Sequence, residues 1–295
     1  MKREARAALQ RADRLRESGE LPSAIAQLER ALALEPGLCS ARLALGSAWL
    51  DAGEAHKAIG ILSPLIKLRS AYRAAAEEKL KLAETLRSLE RSPPGYVRHL
   101  FDQFSQHYDR QMVEDLAYRA PAILRGLVDL LACAPAPVEI LDLGCGTGLA
   151  GEAFKPLARR LDGIDLSPRM IAQATAKTIY DDLTVSDAET FLATPGRDYD
   201  LVIAADVLVY FGDLASVFHG AKLKLRPGGW FLFTVEKHNG SGFALGPKRR
   251  YRHSADYLRD TAQDAGFDCM ALIDCSPRMD AGEPVEGLAV ALLNS

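Results

Sequence analysis

The segment Ile140-Leu141-Asp142-Leu143-Gly144-Cys145-Gly146-Thr147-Gly148 constrains the fold of this 295-residue chain more than any other. An apolar run suited to a buried strand leads into three glycines spaced G-x-G-x-G. Such a turn bends sharply and lets backbone approach a ligand, which glycine allows without a side-chain clash. Its amides, and those opening the next helix, can bind polar or anionic groups. Strand and helix patterns alternate downstream. Strands are expected at 138–143, 161–166, 183–186, 199–205, 230–236, 267–274 and 285–293, the last two as an antiparallel hairpin. Helices are expected at 149–159, after the Ser167-Pro168 start signal, at 214–225 up to Arg226-Pro227-Gly228-Gly229, and from the Ser254 cap to about 265. This alternation predicts an α/β fold, a mostly parallel sheet with helices on both faces. Ligands then bind at the carboxyl ends of the strands, where the strand order switches.

The first third of the chain has a different pattern, rich in Ala, Leu, Arg and Glu, with a period of 34. Leu9 pairs with Leu43, Ala12 with Gly46, Leu15 with Trp49, Gly19 with Gly53, Ala24 with Ala58, Ile25 with Ile59, and Leu28 with Leu62. Each unit reads as helix, turn, helix. The small residues let the helices approach and the large ones fill the space between them. Pro36 closes the first unit. The pattern resembles tetratricopeptide repeats: two units and a capping helix from about Tyr72 to Leu89, with Ala12 where that family has glycine. The resemblance implies a concave surface for a peptide or protein partner, or for self-association. Ser92-Pro93-Pro94-Gly95 breaks the pattern. Helix resumes at 97–131, interrupted at Pro121, and Pro135 and Pro137 end it. The expected organisation is an all-α repeat region at 1–91, a linker with cofactor-covering helices at 92–137, and the α/β core at 138–295.

Composition narrows the function classes. Hydrophobic residues make up 48% and charged residues 25%, an ordinary globular balance. No apolar run approaches the roughly 18 residues a membrane span needs. Met1–Arg16 is charged throughout, which predicts a cytoplasmic protein. The net charge of −3 argues against a general nucleic-acid binder. It divides into +4 over residues 1–92 and −7 over 93–295, as two regions with different tasks would. The five cysteines are odd in number and lack C-x-x-C spacing, so neither a disulfide framework nor a metal site is expected.

Beside the loop, Asp142 places a carboxylate that suits an ammonium better than a pyrophosphate. The third glycine comes one residue early for the dinucleotide pattern G-x-G-x-x-G. Asp165, ending the second strand, can accept hydrogen bonds from both hydroxyls of a ribose. Asp187 and Ala188 follow the third strand, where Asp187 can accept from an adenine amino group or cap a short helix. With Tyr199-Asp200-Leu201-Val202 opening strand four and Arg226-Pro227-Gly228-Gly229 before strand five, this order resembles the class I S-adenosylmethionine methyltransferase family over residues 97–295. The resemblance implies a Rossmann-like seven-stranded sheet and S-adenosyl-L-methionine as cofactor. It also implies a cofactor pocket that includes Cys145 in the loop, Leu166 and Ser167 after Asp165, and Ala204 and Ala205 at the end of strand four. Phe101-Asp102-x-x-Ser105-x-x-Tyr108-Asp109 followed by Tyr118-Arg119-Ala120-Pro121 is similar to the segment preceding the core in quinone and malonyl-carrier methyltransferases and in the methyltransferase-like proteins of the Williams-Beuren region. That likeness implies that Tyr108 covers the cofactor and Arg119 pairs with the methionine carboxylate; Ser105 stands where alanine is usual.

The acceptor side is less explicit. Asp206 and Tyr210 follow strand four, where the methyl group should emerge. Glu236, His238 and the run Lys248-Arg249-Arg250-Tyr251-Arg252-His253 are expected on the same sheet edge, with Tyr251 and His253 the first choices within the run. His253, His238 and Asp206 are the candidate bases, needed only if the nucleophile must lose a proton. The expected acceptor is a small molecule, a peptide or a carrier-bound group. Two other classes fit parts of the sequence: a repeat scaffold with a non-catalytic cofactor domain, and a nicotinamide-dependent oxidoreductase, which the glycine spacing disfavours.

Overall fold

The computed structural model describes residues 2–17, 20–52, 54–68, 71–87, 91–133 and 137–295. Gly19, Gly53 and Pro135 lie outside the described residues. The chain divides into a helical unit, Met1–Tyr96 with Pro247–Arg249, and a sheet unit, Val97–Gly246 with Arg250–Ser295.

The helical unit contains α1 (Lys2–Glu17), α2 (Leu21–Leu34), α3 (Cys39–Asp51), α4 (Ala55–Ile66) and α5 (Arg73–Arg87). Each packs on its sequence neighbour. The period-34 positions supply these contacts. Ala12, Ala24 and Leu28 share one buried cluster with Leu45, while Ala58 and Leu62 share another with Leu65 and Leu80. A Cβ on Gly46 would stand 2.3 Å from the Leu62 side chain, so α3 and α4 approach as closely as they do because that position has none. Within this unit the Lys248 amide donates to Glu54 at 3.1 Å and the Ser92 hydroxyl to the Arg249 carbonyl at 2.8 Å.

Before the first strand come α6 (Pro94–Phe104), the short α7 (Tyr108–Arg110), a π-turn at Gln111–Asp115 and α8 (Ala120–Leu131). The interruption expected at Pro121 falls just before it, at residues 116–119. Pro121 sits in the first turn of α8, where its missing N–H has no partner to lose. The core runs β1 (Val138–Leu143), α9 (Leu149–Phe154), β2 (Ala158–Asp165), α10 (Pro168–Ala176), β3 (Asp182–Val185), α11 (Ala188–Ala193), β4 (Tyr199–Ala204), α12 (Ala215–Lys224) and β5 (Leu225–Lys237). It ends with β6 (Phe243–Leu245), β7 (Tyr251–His253), α13 (Ala255–Asp264), β8 (Asp268–Cys275), the small β9 (Met279–Asp280) and β10 (Glu283–Pro284) pair, and β11 (Gly287–Leu293). The expected helix at 149–159 is shorter, because Pro156 ends it in a 3-10 turn at Lys155–Leu157 and β2 begins early.

Seven strands form the path β3-β2-β1-β4-β5-β11-β8, and the short β6 and β7 attach beside β5, making nine instead of the seven expected. From β3 to β5 all neighbours are parallel, whereas β11 is antiparallel to both β5 and β8. The order reverses between β1 and β4, which opens a crevice at their carboxyl ends. Both faces are covered. Leu141, Val202, Phe231 and Phe233 pack on one side with α12 and α13 residues such as Phe218 and Leu258. Ile140, Leu201, Ile203 and Leu232 pack on the other with Leu124 and Phe154. Burial on both faces is why these strands read as continuous apolar runs.

Candidate functional site

The β1 carboxyl end turns through Gly144, Gly146 and Gly148, at φ +72°, +55° and +96°. L-residues rarely hold such angles, so the spacing is a backbone requirement. A Cβ on Gly144 would also meet the Val207 side chain at 2.6 Å, whereas one on Gly146 would project into open space. The turn is tied to β2. Asp165 accepts the Gly146 amide at 2.9 Å on one oxygen and the Ser167 amide at 2.8 Å on the other. Burial pushes the Asp165 carboxyl up to about 6 against these two donors. Asp142, 1% exposed, accepts the Tyr180 hydroxyl at 2.6 Å, and burial pushes its carboxyl up to about 7. Cys145 is buried, and burial raises its thiol well above the usual range, which disfavours the thiolate.

The segment over the loop is held by its two aspartates. Asp102 accepts the Ser167 hydroxyl at 2.5 Å, while Ser167 also caps α10 by accepting the Met170 amide at 3.1 Å. Asp109 accepts the Thr147 hydroxyl and pairs with Lys177 at 2.8 Å. These latches set Phe101 edge-on to Tyr108 at 6.0 Å and to Tyr210 at 5.6 Å. Burial, then Asp206 and Tyr210, raise the Tyr108 phenol well above its usual range. Tyr118 donates to the Ala205 carbonyl at 3.1 Å. Arg119 is different: its amide bonds the Pro277 carbonyl at 2.7 Å and its side chain is exposed. Asp187 caps α11, accepting the Thr190 amide at 3.4 Å, with Ala188 buried behind it.

On the acceptor side, Asp206 follows β4 with φ +60°, unusual for a residue with a side chain. Its amide donates to the Thr234 hydroxyl at 2.9 Å. Its carboxylate bridges Arg250 at 2.7 Å and Arg278 at 3.1 Å, and both arginines also reach Glu236, at 2.7 and 2.6 Å. Arg250 further donates to the Tyr210 hydroxyl at 3.1 Å. Two acids and two arginines thus form a buried network at the ends of β4 and β5, with the half-exposed Arg252 at its edge, 3.5 Å from Glu236. As a candidate base, Asp206 is committed to ion pairs.

The other acceptor candidates are elsewhere. His253 is fully buried, stacked on Tyr257 with ring centroids 5.8 Å apart, and its Nε2 faces the Gly212 carbonyl at 2.9 Å. Burial pushes its imidazole down to about 4, which favours the neutral ring in the core. Tyr251 packs against Phe243, and His238 is joined through its amide to the His253 carbonyl. The basic run does not line one edge. Lys248 and Arg249 group with the helical unit, while Arg252 in β7 pairs with β5. Within that run Arg250, passed over for Tyr251 and His253, is the residue that meets Asp206 and Tyr210. Arg278 and Tyr180 had no local sequence signal, since their partners lie 72 and 38 residues away. Among the described residues no three His, Cys, Asp or Glu side chains group as metal ligands, and no helix is long and apolar enough to cross a membrane.

A doubly wound sheet with a positive-φ glycine turn between the buried Asp142 and the half-buried Asp165 is an α/β framework that binds ligands at the carboxyl ends of its strands. Residues 108–272 match the model of a family described as "Methyltransferase domain", which spans more than half of the chain. The chain belongs to this family, the class I S-adenosylmethionine-dependent methyltransferase domains. A ubiquinone biosynthesis O-methyltransferase of Hydrogenovibrio crunogenus is 30% identical over 110 residues, 36% of this chain and 46% of the relative. Another, of Methylobacterium sp., is 28% identical over 167 residues, 55% of this chain and 60% of the relative. The chain thus spans about half the length of the curated relatives it matches. Among solved structures, the 1,6-didemethyltoxoflavin-N1-methyltransferase of Burkholderia thailandensis, with S-adenosylhomocysteine bound, has a TM-score of 0.54 at 16% identity, covering 69% of this chain and 91% of that one. The magnesium protoporphyrin IX methyltransferase of Synechocystis PCC 6803 has a TM-score of 0.53 at 19% identity, covering 68% and 99%. At these identities the structures share the fold.

Proposed function

We propose that this chain transfers the methyl group of S-adenosyl-L-methionine to an oxygen, nitrogen, sulfur or carbon nucleophile of a small-molecule, peptide or carrier-bound acceptor. The observation that carries the proposal is the open glycine turn set between Asp142 and Asp165. Both acids are raised by burial and neither is paired to a cation among the described residues, so the pocket suits a ligand with an ammonium and donor hydroxyls. In this reading Asp142 receives the ammonium, Asp165 the ribose hydroxyls, and Asp187 and Ala188 the adenine edge. The remaining pocket residues are Cys145, Leu166, Ser167, Ala204 and Ala205. Tyr108 covers the site, and the exposed Arg119 reaches a carboxylate only by swinging inward. When bound, the cofactor supplies a methyl group already activated by its sulfonium. The protein's task is then alignment, which can contribute roughly 7–11 kcal/mol. Phe101, Tyr108 and Tyr210 offer the acceptor an aromatic edge, and Arg250 and Asp206 hold Tyr210's surroundings in place. The names of the curated relatives make an oxygen nucleophile the first to test.

Calorimetric titration with S-adenosylhomocysteine and, separately, with NADH decides the class. Binding of the first and not the second is expected; no binding of the first would sink the proposal and favour a scaffold. The helical unit, read as tetratricopeptide-like, is proposed to recruit the acceptor or to mediate self-association. Loss of residues 1–91 should then abolish turnover of a macromolecular acceptor and preserve cofactor affinity.

A further inference from the structure

Tyr180 lies between α10 and β3, and the tertiary structure aims it at the glycine loop. Its hydroxyl donates to Asp142 at 2.6 Å. The ring enters a slot that exists because three neighbours lack side chains. A Cβ on Gly151 would stand 2.2 Å from the Tyr180 hydroxyl oxygen, one on Gly163 2.8 Å from the ring and one on Gly148 3.1 Å from it. Gly151 is inside α9, where alanine is otherwise the better helix former. The slot therefore serves the tyrosine and not the helix.

The groups facing Asp142 come from four places: Asp165 at the end of β2, Cys145 in the loop, Tyr118 ahead of α8, and the Gly151 amide with Tyr180. None is a cation. Burial and the Asp165 charge favour the protonated acid, while the Tyr180 hydroxyl and the Gly151 amide favour the carboxylate. We infer that Tyr180 is a positioning residue for the cofactor site: its hydroxyl fixes the orientation of Asp142 and favours its charged form, which receives the cationic amino group of the cofactor's methionine moiety. This rests on the proposed function. It adds a residue to the site that acts through Asp142.

The inference has a pH signature. Asp142 stands at about 7, so affinity for the cofactor product should fall as pH drops below neutral, where the carboxylate takes up its proton. Removing the hydroxyl removes a donor to the charged form and moves this break to higher pH. Asp165, at about 6, adds a second break that Tyr180 does not control. The test is calorimetric titration of the full chain with S-adenosylhomocysteine from about pH 5.5 to 8.5, alongside thermal unfolding to show that each variant is folded. In Tyr180→Phe, which keeps the ring in its slot, the upper break should rise by about one pH unit. Affinity should then drop about fivefold at neutral pH and up to about tenfold below it, and approach the parent's at the alkaline end. Gly151→Ala, which displaces the hydroxyl from the other side, should give the same displaced profile. Asp142→Asn should bind weakly and lose the upper break. A break in Tyr180→Phe that coincides with the parent's, or a loss that is uniform with pH, would show the tyrosine to be filler and overturn the inference. A parent chain that fails to bind S-adenosylhomocysteine at any pH would instead overturn the proposed function, and this inference with it.

Discussion

Replacing Arg278 with methionine tests whether the buried charge network carries the end of the sheet. Arg278 is 5% exposed, and its guanidinium reaches Asp206 at 3.1 Å and Glu236 at 2.6 Å, both acids being nearly as buried. Methionine keeps the length and removes the charge. Arg250 still bridges the two carboxylates, and the half-exposed Arg252 stays 3.5 Å from Glu236, so the site would hold two buried acids and one buried arginine. Removing one partner of a buried ion pair costs about 3–5 kcal/mol. The surviving Arg250 bridge places the cost at the lower end, about 3 kcal/mol. In a unit of about 200 residues each kcal/mol corresponds to roughly 2–4 °C, so the transition should fall by about 6–12 °C. Differential scanning calorimetry reads this directly, following the larger endotherm because the two units need not melt together. The double variant Arg278→Met with Glu236→Gln removes one charge of each sign. It should recover at least about 1 kcal/mol of the single variant's loss. A single variant melting within about 2 °C of the parent, or a double variant as unstable as the sum of its parts, would refute the network as a structural element.

Three further outcomes follow from the site. Gly144→Ala forces a side chain into a φ of +72° and against Val207; it should cost at least about 2 kcal/mol and weaken S-adenosylhomocysteine binding, measured by denaturant titration and calorimetry. Ser167→Ala removes both the α10 cap and the Asp102 latch, and should cost about 1–2 kcal/mol. A double-mutant cycle with Asp102→Ala should show coupling of at least about 0.5 kcal/mol, and strict additivity would refute the latch. Asp142 at about 7 means that the folded chain holds a proton which the unfolded chain releases near pH 4, so its contribution to stability is present below about 4 and lost as pH rises through 7. Asp142→Asn should therefore be more stable than the parent at pH 8, by on the order of 4 kcal/mol, with no gain near pH 4, while binding the cofactor product less well. Urea unfolding at the two pH values checks it.

Much of the fold was legible because its signals are local. The glycine turn, the Ser167-Pro168 and Ser254 caps and the apolar strands depend on neighbours within a few residues, and they stand where the pattern put them. Of the small residues in the period of 34, Ala12, Ala24 and Ala58 lie in the buried clusters of these helices and Gly46 lies against Leu62. What misled was also local. The break expected at Pro121 lies just before it, at 116–119, because a proline is accommodated in the first turn of a helix and here opens α8. His253 looked like a base beside a cap, yet position in sequence carries no information on whether an imidazole faces a cleft or the core. The short β6 and β7 were missed because three-residue strands have no measurable alternation.

The sequence alone determined the turn that can hold a nucleoside and the acids beside it, since backbone angles and chain spacing there follow from residue type. The tertiary structure decided the partners of those acids. Tyr180 reaches Asp142 through gaps left by three glycines, Asp102 and Asp109 latch the covering segment, and Arg250 and Arg278 close on Asp206 and Glu236 from 44 and 72 residues beyond Asp206. Charge pairs in a low-dielectric interior form wherever folding brings the groups together, and nothing in the local pattern of either partner records which partner that will be.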